Sequence, residues 1–283
     1  MRVPKVPGRD SRNRDAREKH VKLEGKVVIV TGASYGIGRA YAHALAAEGA
    51  TVIAAARSLG TVDNGVPQKD TLAETVETGK NFPGSIHAKA CDVLVEEDVI
   101  RLVEETIAEF GRVDVLVNNA AIYTHHDTFA IDIPTFDQHV NVNIRGPYLT
   151  MREVSRQMKK QGSGSIVNIT SAVARHTEKG FGGHDDMMLY CVTKAGLNRM
   201  TDFFAEELRE YGVAVNGLSP GAVDTVTWNT VDPETVANFK EQGLVSPCTP
   251  EALGAPLISL AQHTAATLTG QMLHIAEHGK SWN

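Results

Sequence analysis

The sequence has few cysteines and none of the paired spacings that accompany disulfide frameworks or zinc sites. Its three cysteines, Cys91, Cys191 and Cys248, lie far apart and form no CxxC motif, which predicts free thiols in a reducing compartment. No stretch approaches the roughly eighteen consecutive apolar residues of a spanning helix. No apolar run follows the basic N-terminal residues, as it would in a secretory signal. We therefore expect a cytoplasmic protein that has no membrane partner.

An excess of positive charge is also absent. The 283 residues carry a formal net charge of −6 at pH 7, which argues against nucleic acid as the main partner. The hydrophobic content of 42% and the charged content of 22% are ordinary for a globular chain and exclude a mainly disordered one. The length allows one large α/β domain or two small ones.

Residues 1–22 differ from the rest of the chain. They are rich in arginine and lysine and hold almost no large apolar side chains, so burial cannot offset the entropy lost on ordering them. One interpretation is a basic arm for an acidic partner. We favour a flexible, solvated tail, because Asp10, Asp15 and Glu18 dilute the basic run.

From Leu23 onward, short β-branched runs alternate with segments whose apolar residues recur at helical spacing, such as Glu97–Phe110 and Lys194–Tyr211. Continuous apolar strands separated by helices are typical of a parallel sheet covered on both faces. We therefore predict an α/β fold for residues 23–283, with one doubly wound domain and a seven-stranded parallel sheet. The predicted strands are Lys26–Thr31, Thr51–Ala56, Ser85–Cys91, Val113–Asn118, Gly164–Thr170, Gly212–Leu218 and Gln271–Ile275.

A glycine-rich turn follows the first predicted strand and precedes an alanine-rich helix predicted from Arg39 to Glu48. Glycines let a backbone turn tightly and approach a ligand, and the free N–H groups at the start of a helix face its negative charge. Three glycines alone can be a packed turn, but the order of strand, turn and helix predicts a pyrophosphate site. The predicted contacts are Gly32, Ser34, Tyr35, Gly36, Ile37 and Gly38.

A second constellation follows the fifth predicted strand. Tyr190 and Lys194 are four residues apart, on one face of a predicted helix. A phenol titrates near pH 10, and a fixed ammonium nearby is expected to lower the pKa of Tyr190 toward its working range. Ser171 ends the strand at the edge where ligands bind in open α/β sheets, so its hydroxyl is placed to hydrogen-bond a substrate oxygen.

These motifs together resemble the short-chain dehydrogenase/reductase family. The glycine spacing is Gly-x-x-x-Gly-x-Gly, Asn118-Asn119-Ala120-Ala121 follows the fourth strand, and the resemblance covers nearly all of Leu23 to Gln271. It implies a Rossmann-type fold and hydride transfer between a nicotinamide cofactor and a small carbonyl or secondary alcohol substrate.

The resemblance also implies roles for individual residues. Tyr190 would be the general acid/base, Ser171 would orient the substrate oxygen, and Lys194 would hold the nicotinamide ribose. Asn143 would interrupt a helix and hold a water that links Lys194 to solvent, whereas Asn141 would be structural. Further cofactor contacts implied by the family are Asp92, Val93, Asn119, Ala120, Ala121, Pro220, Gly221, Val223 and Thr225, in addition to Tyr190 and Lys194. Asp92 is equally placed to cap the helix that follows it.

The end of the second strand bears on the choice of cofactor. An acid there would bind the ribose hydroxyls of NAD and repel the 2′-phosphate of NADP, but the strand is followed by Arg57 and Ser58. Arginine pairs with phosphate through two hydrogen bonds and stacks on adenine, which favours NADP(H). NAD(H) stays open, because Tyr35 occupies a loop position where NADP-preferring relatives often carry a basic residue, and Arg57 could simply be a solvated charge.

Two segments, about 172–189 and 224–246, are expected to border the substrate, the second as a lid that closes over it. No metal site is expected, because the histidines and aspartates of 176–186 lack ligand spacing. A homo-oligomer, dimer or tetramer, is expected from the family through the two helices that flank the active site. The alternatives are a non-catalytic NAD(P)-binding sensor of the same fold and an NAD-dependent alcohol or sugar dehydrogenase.

Overall fold

The computed structural model describes residues 22–60, 62–63, 66–67, 69–124, 126–174, 187–225, 233–241, 243 and 245–283. Apart from Lys22, the predicted N-terminal tail lies outside the described residues. Much of both predicted substrate segments, 175–186 and 226–232, also lies outside them.

The described residues form strands and helices in alternation. The strands are β1 (Val27–Thr31), β2 (Thr51–Ala56), β3 (Val62–Asp63), β4 (Val66–Pro67), β5 (Ser85–Ala90), β6 (Val115–Asn118), β7 (Gly164–Ile169), β8 (Val213–Ser219), β9 (Ala222–Asp224), β10 (Val245–Pro247) and β11 (Met272–His274). The α-helices are α1 (Gly36–Ala47), α2 (Leu72–Gly79), α3 (Glu96–Phe110), α4 (Ile133–Val140), α5 (Gly146–Gln161), α6 (Met188–Leu208), α7 (Pro233–Glu241) and α8 (Pro250–Gln262). A π-helical segment, Asn141–Arg145, joins α4 to α5.

Seven strands form one parallel sheet in the order β11-β8-β7-β6-β1-β2-β5. The prediction of a seven-stranded parallel sheet is therefore confirmed, with strand ends within two residues of those expected. From β1 the chain continues to β2 and β5 on one side and then returns to β6 on the other. The carboxyl ends of β1 and β6 thus flank the switch point at which open α/β sheets bind ligands.

Hydrophobic cores lie on both faces of the sheet, because successive residues of a strand point to opposite sides. In β1, the fully buried Val28 and Val30 pack in the core that contains α1 and α8. Ile29 points the other way, into the core that contains α3, α5 and α6. Helices therefore cover both faces, as the continuous apolar strands predicted.

A buried polar network ties two of these helices to the sheet. Asn118 and Asn168 are register partners on β6 and β7, and the Asn118 amide donates to the Asn168 oxygen at 2.9 Å. Thr150 of α5 donates to Asn118 at 2.6 Å, and Asn168 donates to Thr201 of α6 at 2.8 Å. Because unsatisfied buried polar groups are costly, this network fixes the position of α6 against the sheet.

Two short sheets lie beside the main one. The predicted lid, 224–246, begins in β9 and ends in β10, which pair in parallel around α7, and an ion pair of 2.8 Å joins Lys240 to Asp224. Closure of this segment stays a prediction. Of the helices described, none has both the length and the apolar character needed to cross a bilayer.

Candidate active site

The glycine turn connects β1 to α1 at the carboxyl edge of the sheet. Gly32 and Gly36 have φ values of +65° and +57°, a region that side chains with a Cβ rarely adopt. The helix begins at Gly36, three residues before the predicted Arg39, and the side chain of its N-cap residue, Tyr35, makes no capping hydrogen bond. The N–H groups of this first turn are thus oriented for an anion, as a pyrophosphate site requires.

Contacts from the two residues that follow β6 hold this turn in place. The side-chain amide of Asn119 donates to the carbonyl oxygens of Thr31 and Gly32 at 3.0 and 3.1 Å. The Thr31 hydroxyl accepts the backbone N–H groups of Asn119 and Ala120 at 3.1 Å each. A Cβ added to Gly38 would lie 2.1 Å from the Gly32 oxygen, so only glycine fits there. The side-chain amide of Asn119 is thereby committed to the turn.

Arg57 and Ser58 follow β2, and both side chains are exposed. Arg57 forms no ion pair with any described residue, whereas the other arginine near the glycine turn, Arg39, is bound through its Nε and Nη2. Arg39 contacts the Ser34 carbonyl and pairs with Glu74 at 2.8 Å. The Ser58 hydroxyl accepts the Gly60 N–H at 3.2 Å, which leaves its own proton to donate.

Asp92 and Val93 follow β5. An Asp92 carboxylate oxygen accepts the N–H of Leu94 at 3.0 Å, and α3 begins later, with Val95 as its N-cap. The alternative that Asp92 caps this helix is therefore wrong. The Asp92 carboxylate instead closes a tight turn with Leu94, before the helix begins. Val93 packs against Gly146, where an added Cβ would lie 3.0 Å from the Val93 Cγ2.

The loop after β8 reaches back toward the glycine turn. Pro220 and Val223 are buried, and Gly221 has a φ of +72°. The methyl group of Thr225 would lie 3.7 Å from a Cβ added to Gly36. The structure thus places Thr225 beside the first turn of α1.

Ser171, Tyr190 and Lys194 meet at the carboxyl end of β7. Tyr190 and Lys194 project from the first two turns of α6, and Ser171 follows the end of the strand by two residues. Ser171 hydrogen-bonds the Tyr190 hydroxyl. The Lys194 amine lies 5.5 Å from the centroid of the Tyr190 ring and donates to the Ile169 carbonyl at 2.8 Å.

Burial controls the ionisation of this pair. It raises the pKa of Tyr190 to about 12, against the opposing effect of the Ser171 hydrogen bond, and it lowers the pKa of Lys194 to about 8. The expected lowering of the Tyr190 pKa is therefore wrong for the protein without cofactor. The Lys194 ammonium donates to the Ile169 carbonyl, and desolvation of the phenolate is the largest influence on the pKa of Tyr190.

Asn143 lies in the π-helical segment that interrupts the α4–α5 helix, and its side chain is 1% exposed. Its oxygen accepts the Ile122 N–H at 2.9 Å, and its amide donates to the Ile122 carbonyl at 2.9 Å and to the Thr193 hydroxyl at 3.1 Å. Both amide hydrogens are thus engaged. Asn141, in contrast, is exposed.

Sequence reasoning missed Tyr123, in the loop after β6. Its ring packs edge-to-face against that of Tyr190, with centroids 5.0 Å apart and an interplanar angle of 80°. A single aromatic residue in a loop has no periodicity or motif to mark it, so only the folded structure reveals this contact.

Comparisons with known proteins agree with this geometry. The sequence model of the family described as short chain dehydrogenase matches residues 26–235. The chain is 32% identical over 258 residues to the 3-oxoacyl-(acyl-carrier-protein) reductase FabG of Thermotoga maritima, covering 90% of this chain and 98% of that protein.

Two solved structures are also similar. One is a candidate NAD(P)-dependent gluconate 5-dehydrogenase from Beutenbergia cavernae with bound NADP, with a TM-score of 0.76, 29% identity and coverage of 90% and 97% of the two chains. The other is a 7α-hydroxysteroid dehydrogenase in complex with NADH and 7-oxo glycochenodeoxycholic acid, with a TM-score of 0.77, 26% identity and coverage of 90% and 94%.

The chain belongs to the short-chain dehydrogenase family. It is an NAD(P)-binding oxidoreductase that acts on carbonyl or alcohol groups of small molecules. The described residues fit a dinucleotide, because the glycine turn excludes a Cβ at Gly38 and the N-cap residue of α1, Tyr35, makes no side-chain capping bond.

Proposed function

We propose that this chain transfers a hydride between NADP(H) and a carbonyl or secondary alcohol substrate, with Tyr190 as the general acid/base. The observation that supports this most is the meeting of Ser171, Tyr190 and Lys194 at the carboxyl end of β7. The glycine turn lies at the same edge of the sheet, where the nicotinamide would supply or accept the hydride.

Each catalytic side chain has a role that its surroundings support. With a pKa of about 12, Tyr190 holds its proton at neutral pH and can donate it to a carbonyl oxygen during reduction. Ser171 shares a hydrogen bond with the phenol and is placed to orient the same substrate oxygen. Lys194, whose pKa is about 8, is mainly an ammonium at neutral pH and would hold the ribose.

Asn143 has a different part in the proposal. Because its amide is engaged with Ile122 and Thr193, a relay water would have to bind the remaining lone pair of its side-chain oxygen or a backbone carbonyl of the π-helical segment. We propose that Asn143 builds the water relay between Lys194 and solvent in this way. The glycine turn, Asp92, Val93, Asn119, Ala120, Ala121, Pro220, Gly221, Val223 and Thr225 would form the cofactor site.

The role of Tyr190 is tested by Tyr190→Phe, which removes only the hydroxyl. Turnover should fall by about a thousandfold or more, since general acid–base catalysis contributes about 10² to 10⁴ and the Ser171 hydrogen bond is also lost. NADPH affinity, measured by fluorescence titration, should stay within about threefold of wild type. Turnover is followed as NADPH absorbance over a panel of 3-oxo esters, aryl ketones, sugars and steroids. Near-normal turnover in this variant would refute the proposal, and no turnover by the wild type on any substrate would favour the non-catalytic sensor.

Arg57 supports NADP(H) as the preferred cofactor. It is exposed at the end of β2, and no described residue neutralises it, whereas Arg39 is bound to Glu74. A guanidinium that has no ion-pair partner among the described residues is available to pair with a 2′-phosphate.

The cofactor preference is tested by Arg57→Asp. A charged hydrogen bond contributes about 2 kcal/mol, so the kcat/KM for NADPH should fall about 30-fold, while that for NADH holds or rises. Arg209→Asp makes the same charge change at the far end of α6, where the arginine pairs with Glu206. It should leave the ratio of the kcat/KM values for NADPH and NADH unchanged. If the ratio of the kcat/KM values for NADPH and NADH is the same in Arg57→Asp and wild type, the cofactor preference is not set by Arg57.

We also propose a homo-oligomer, dimer or tetramer, formed through α5 and α6. Tyr148, Val192 and Phe203 on these helices are large hydrophobic residues that are 42%, 56% and 57% exposed in the single chain. Association would cover them. Size-exclusion chromatography with light scattering tests this, and a monomer at micromolar concentration would overturn it.

A further inference from the structure

We infer that Tyr123 is a positioning residue that holds the ring of Tyr190 in the orientation needed for proton transfer. This inference rests on the proposed function, because it concerns the same general acid. It adds a residue that the catalytic constellation read from the sequence does not contain.

The first observation is the contact itself. The rings of Tyr123 and Tyr190 lie 5.0 Å apart at 80°, the edge-to-face geometry that aromatic pairs prefer. In the described part of the chain, Ser171 hydrogen-bonds the Tyr190 hydroxyl and the Lys194 amine lies 5.5 Å from the centroid of its ring. Ser171 fixes the hydroxyl, but a hydrogen bond to a terminal oxygen leaves the ring free to tilt. Tyr123 supplies a flat surface that restricts this tilt.

The second observation is that both neighbours of Tyr123 are fixed. Ile122 exchanges two hydrogen bonds of 2.9 Å with the buried Asn143. The Thr124 hydroxyl lies 2.8 Å from Nε2 of His139, whose Nδ1 lies 2.9 Å from the Thr135 carbonyl. A carbonyl only accepts, so Nδ1 carries the proton and Nε2 accepts from Thr124 when the ring is neutral. Tyr123 is thereby held on a short, anchored piece of backbone.

The third observation is that these contacts close a ring. The Thr193 hydroxyl donates to the Tyr190 carbonyl at 3.0 Å and accepts from Asn143 at 3.1 Å. Asn143 holds Ile122, and the next residue, Tyr123, packs on Tyr190. The loop after β6 and the start of α6 are therefore positioned by each other, and the phenol lies where they meet. A displacement of about 1 Å in a reacting group can cost about a hundredfold in rate, so such bracing matters for turnover.

The test compares Tyr123→Leu, which removes the aromatic pair, with Tyr123→Phe, which keeps it. Tyr211→Leu is the control, because Tyr211 lies after α6 at the opposite edge of the sheet and its ring contacts Lys159 rather than the site. Substrates are ethyl acetoacetate and acetophenone with NADPH. We expect kcat to fall about tenfold in Tyr123→Leu, near the upper end of what an aromatic pair contributes. Tyr123→Phe should keep at least half of the wild-type kcat, and Tyr211→Leu should match wild type.

A second measurement needs no substrate. In protein labelled with carbon-13 at the tyrosine ring, the Tyr190 signal is identified by its absence from Tyr190→Phe. It should shift or broaden in Tyr123→Leu, as the ring gains freedom, and should stay in place in Tyr123→Phe and Tyr211→Leu. This readout remains informative if neither ketone is reduced.

The outcomes separate this inference from the proposed function. Activity in Tyr190→Phe would remove the proposed function, whatever Tyr123 does. Loss of activity in Tyr190→Phe, together with normal kcat and an unchanged Tyr190 signal in Tyr123→Leu, would overturn only the positioning role. A rise in KM at constant kcat in Tyr123→Leu would also overturn it, because it would show that Tyr123 binds substrate without orienting the acid.

Discussion

Replacement of Lys194 by methionine should stabilise the folded protein at neutral pH while it removes turnover. Lys194 is 3% exposed, and burial lowers the pKa of its amine to about 8. At pH 7 the folded protein therefore carries a buried ammonium, and among the described residues it is the Ile169 carbonyl that accepts a hydrogen bond from it. Methionine has a similar length, carries no charge and leaves the surrounding packing almost intact.

The magnitude follows from the shift in the pKa. A change from 10.5 to about 8 corresponds to a cost of about 3 kcal/mol at pH 7. Between pH 8 and 10.5 the unfolded state binds more protons than the folded state, so stability rises with pH, and only about 1 kcal/mol of the cost remains near pH 9.5. Loss of the hydrogen bond to Ile169 offsets about 1 kcal/mol. The variant should thus be about 2 kcal/mol more stable than wild type at pH 7 and about equally stable at pH 9.5.

The assay is urea unfolding of the cofactor-free protein at both pH values, with Lys160→Met as the control. Lys160 is exposed on α5, so its replacement should give no difference that depends on pH. A Lys194→Met protein that is less stable than wild type at pH 7, or whose advantage does not shrink at pH 9.5, would show that the amine is not desolvated as described.

Two further predictions concern the glycine turn and the opposite edge of the sheet. Gly38→Ala places a Cβ 2.1 Å from the Gly32 carbonyl oxygen. NADPH affinity, measured by fluorescence titration, should therefore fall at least a hundredfold, or about 3 kcal/mol of binding free energy. Unchanged affinity in a variant with a native circular dichroism spectrum would contradict this. Asp114 is 5% exposed, and burial alone would raise the pKa of its carboxyl group. Arg112, the Val27 N–H and Lys26 together hold that pKa below its usual value. Asp114→Asn should therefore cost about 2 kcal/mol in urea unfolding at pH 7. This loss should disappear as the pH falls through the folded-state pKa of Asp114, because wild type then loses the same stabilisation. An unchanged difference in unfolding free energy between wild type and variant at pH 3 would refute the role given to the Asp114 carboxylate.

The main sheet could be predicted from the sequence because its strands are buried on both faces and read as continuous apolar runs. The short pairs β3–β4 and β9–β10 were not predicted, since two or three residues carry no periodicity. The sequence predicts the start of α1 at Arg39, directly after the last glycine of the turn. The structure begins the helix at Gly36, where the turn needs a residue that tolerates positive φ.

The composition of the site was predictable, but its environment was not. Parallel strands bring their carboxyl ends to one edge, so the order of Ser171 and Tyr190 along the chain was enough to expect them together. The pKa of Tyr190 depends on burial by residues distant in sequence, and a one-dimensional pattern does not contain that information. The same holds for the Asn119 amide, which turns toward Thr31 and Gly32, and for the contact of Tyr123.

The hydrogen bonds from Asn119 and Thr31 to the glycine turn have a kinetic consequence. A binding surface that already exists before the encounter loses little chain entropy on capturing its ligand. The rate of cofactor association is then set by diffusion and orientation rather than by a slow rearrangement of the loop. Two nucleotides that differ by a single phosphate would meet the same ready surface at similar rates. Discrimination between them would lie in their residence times.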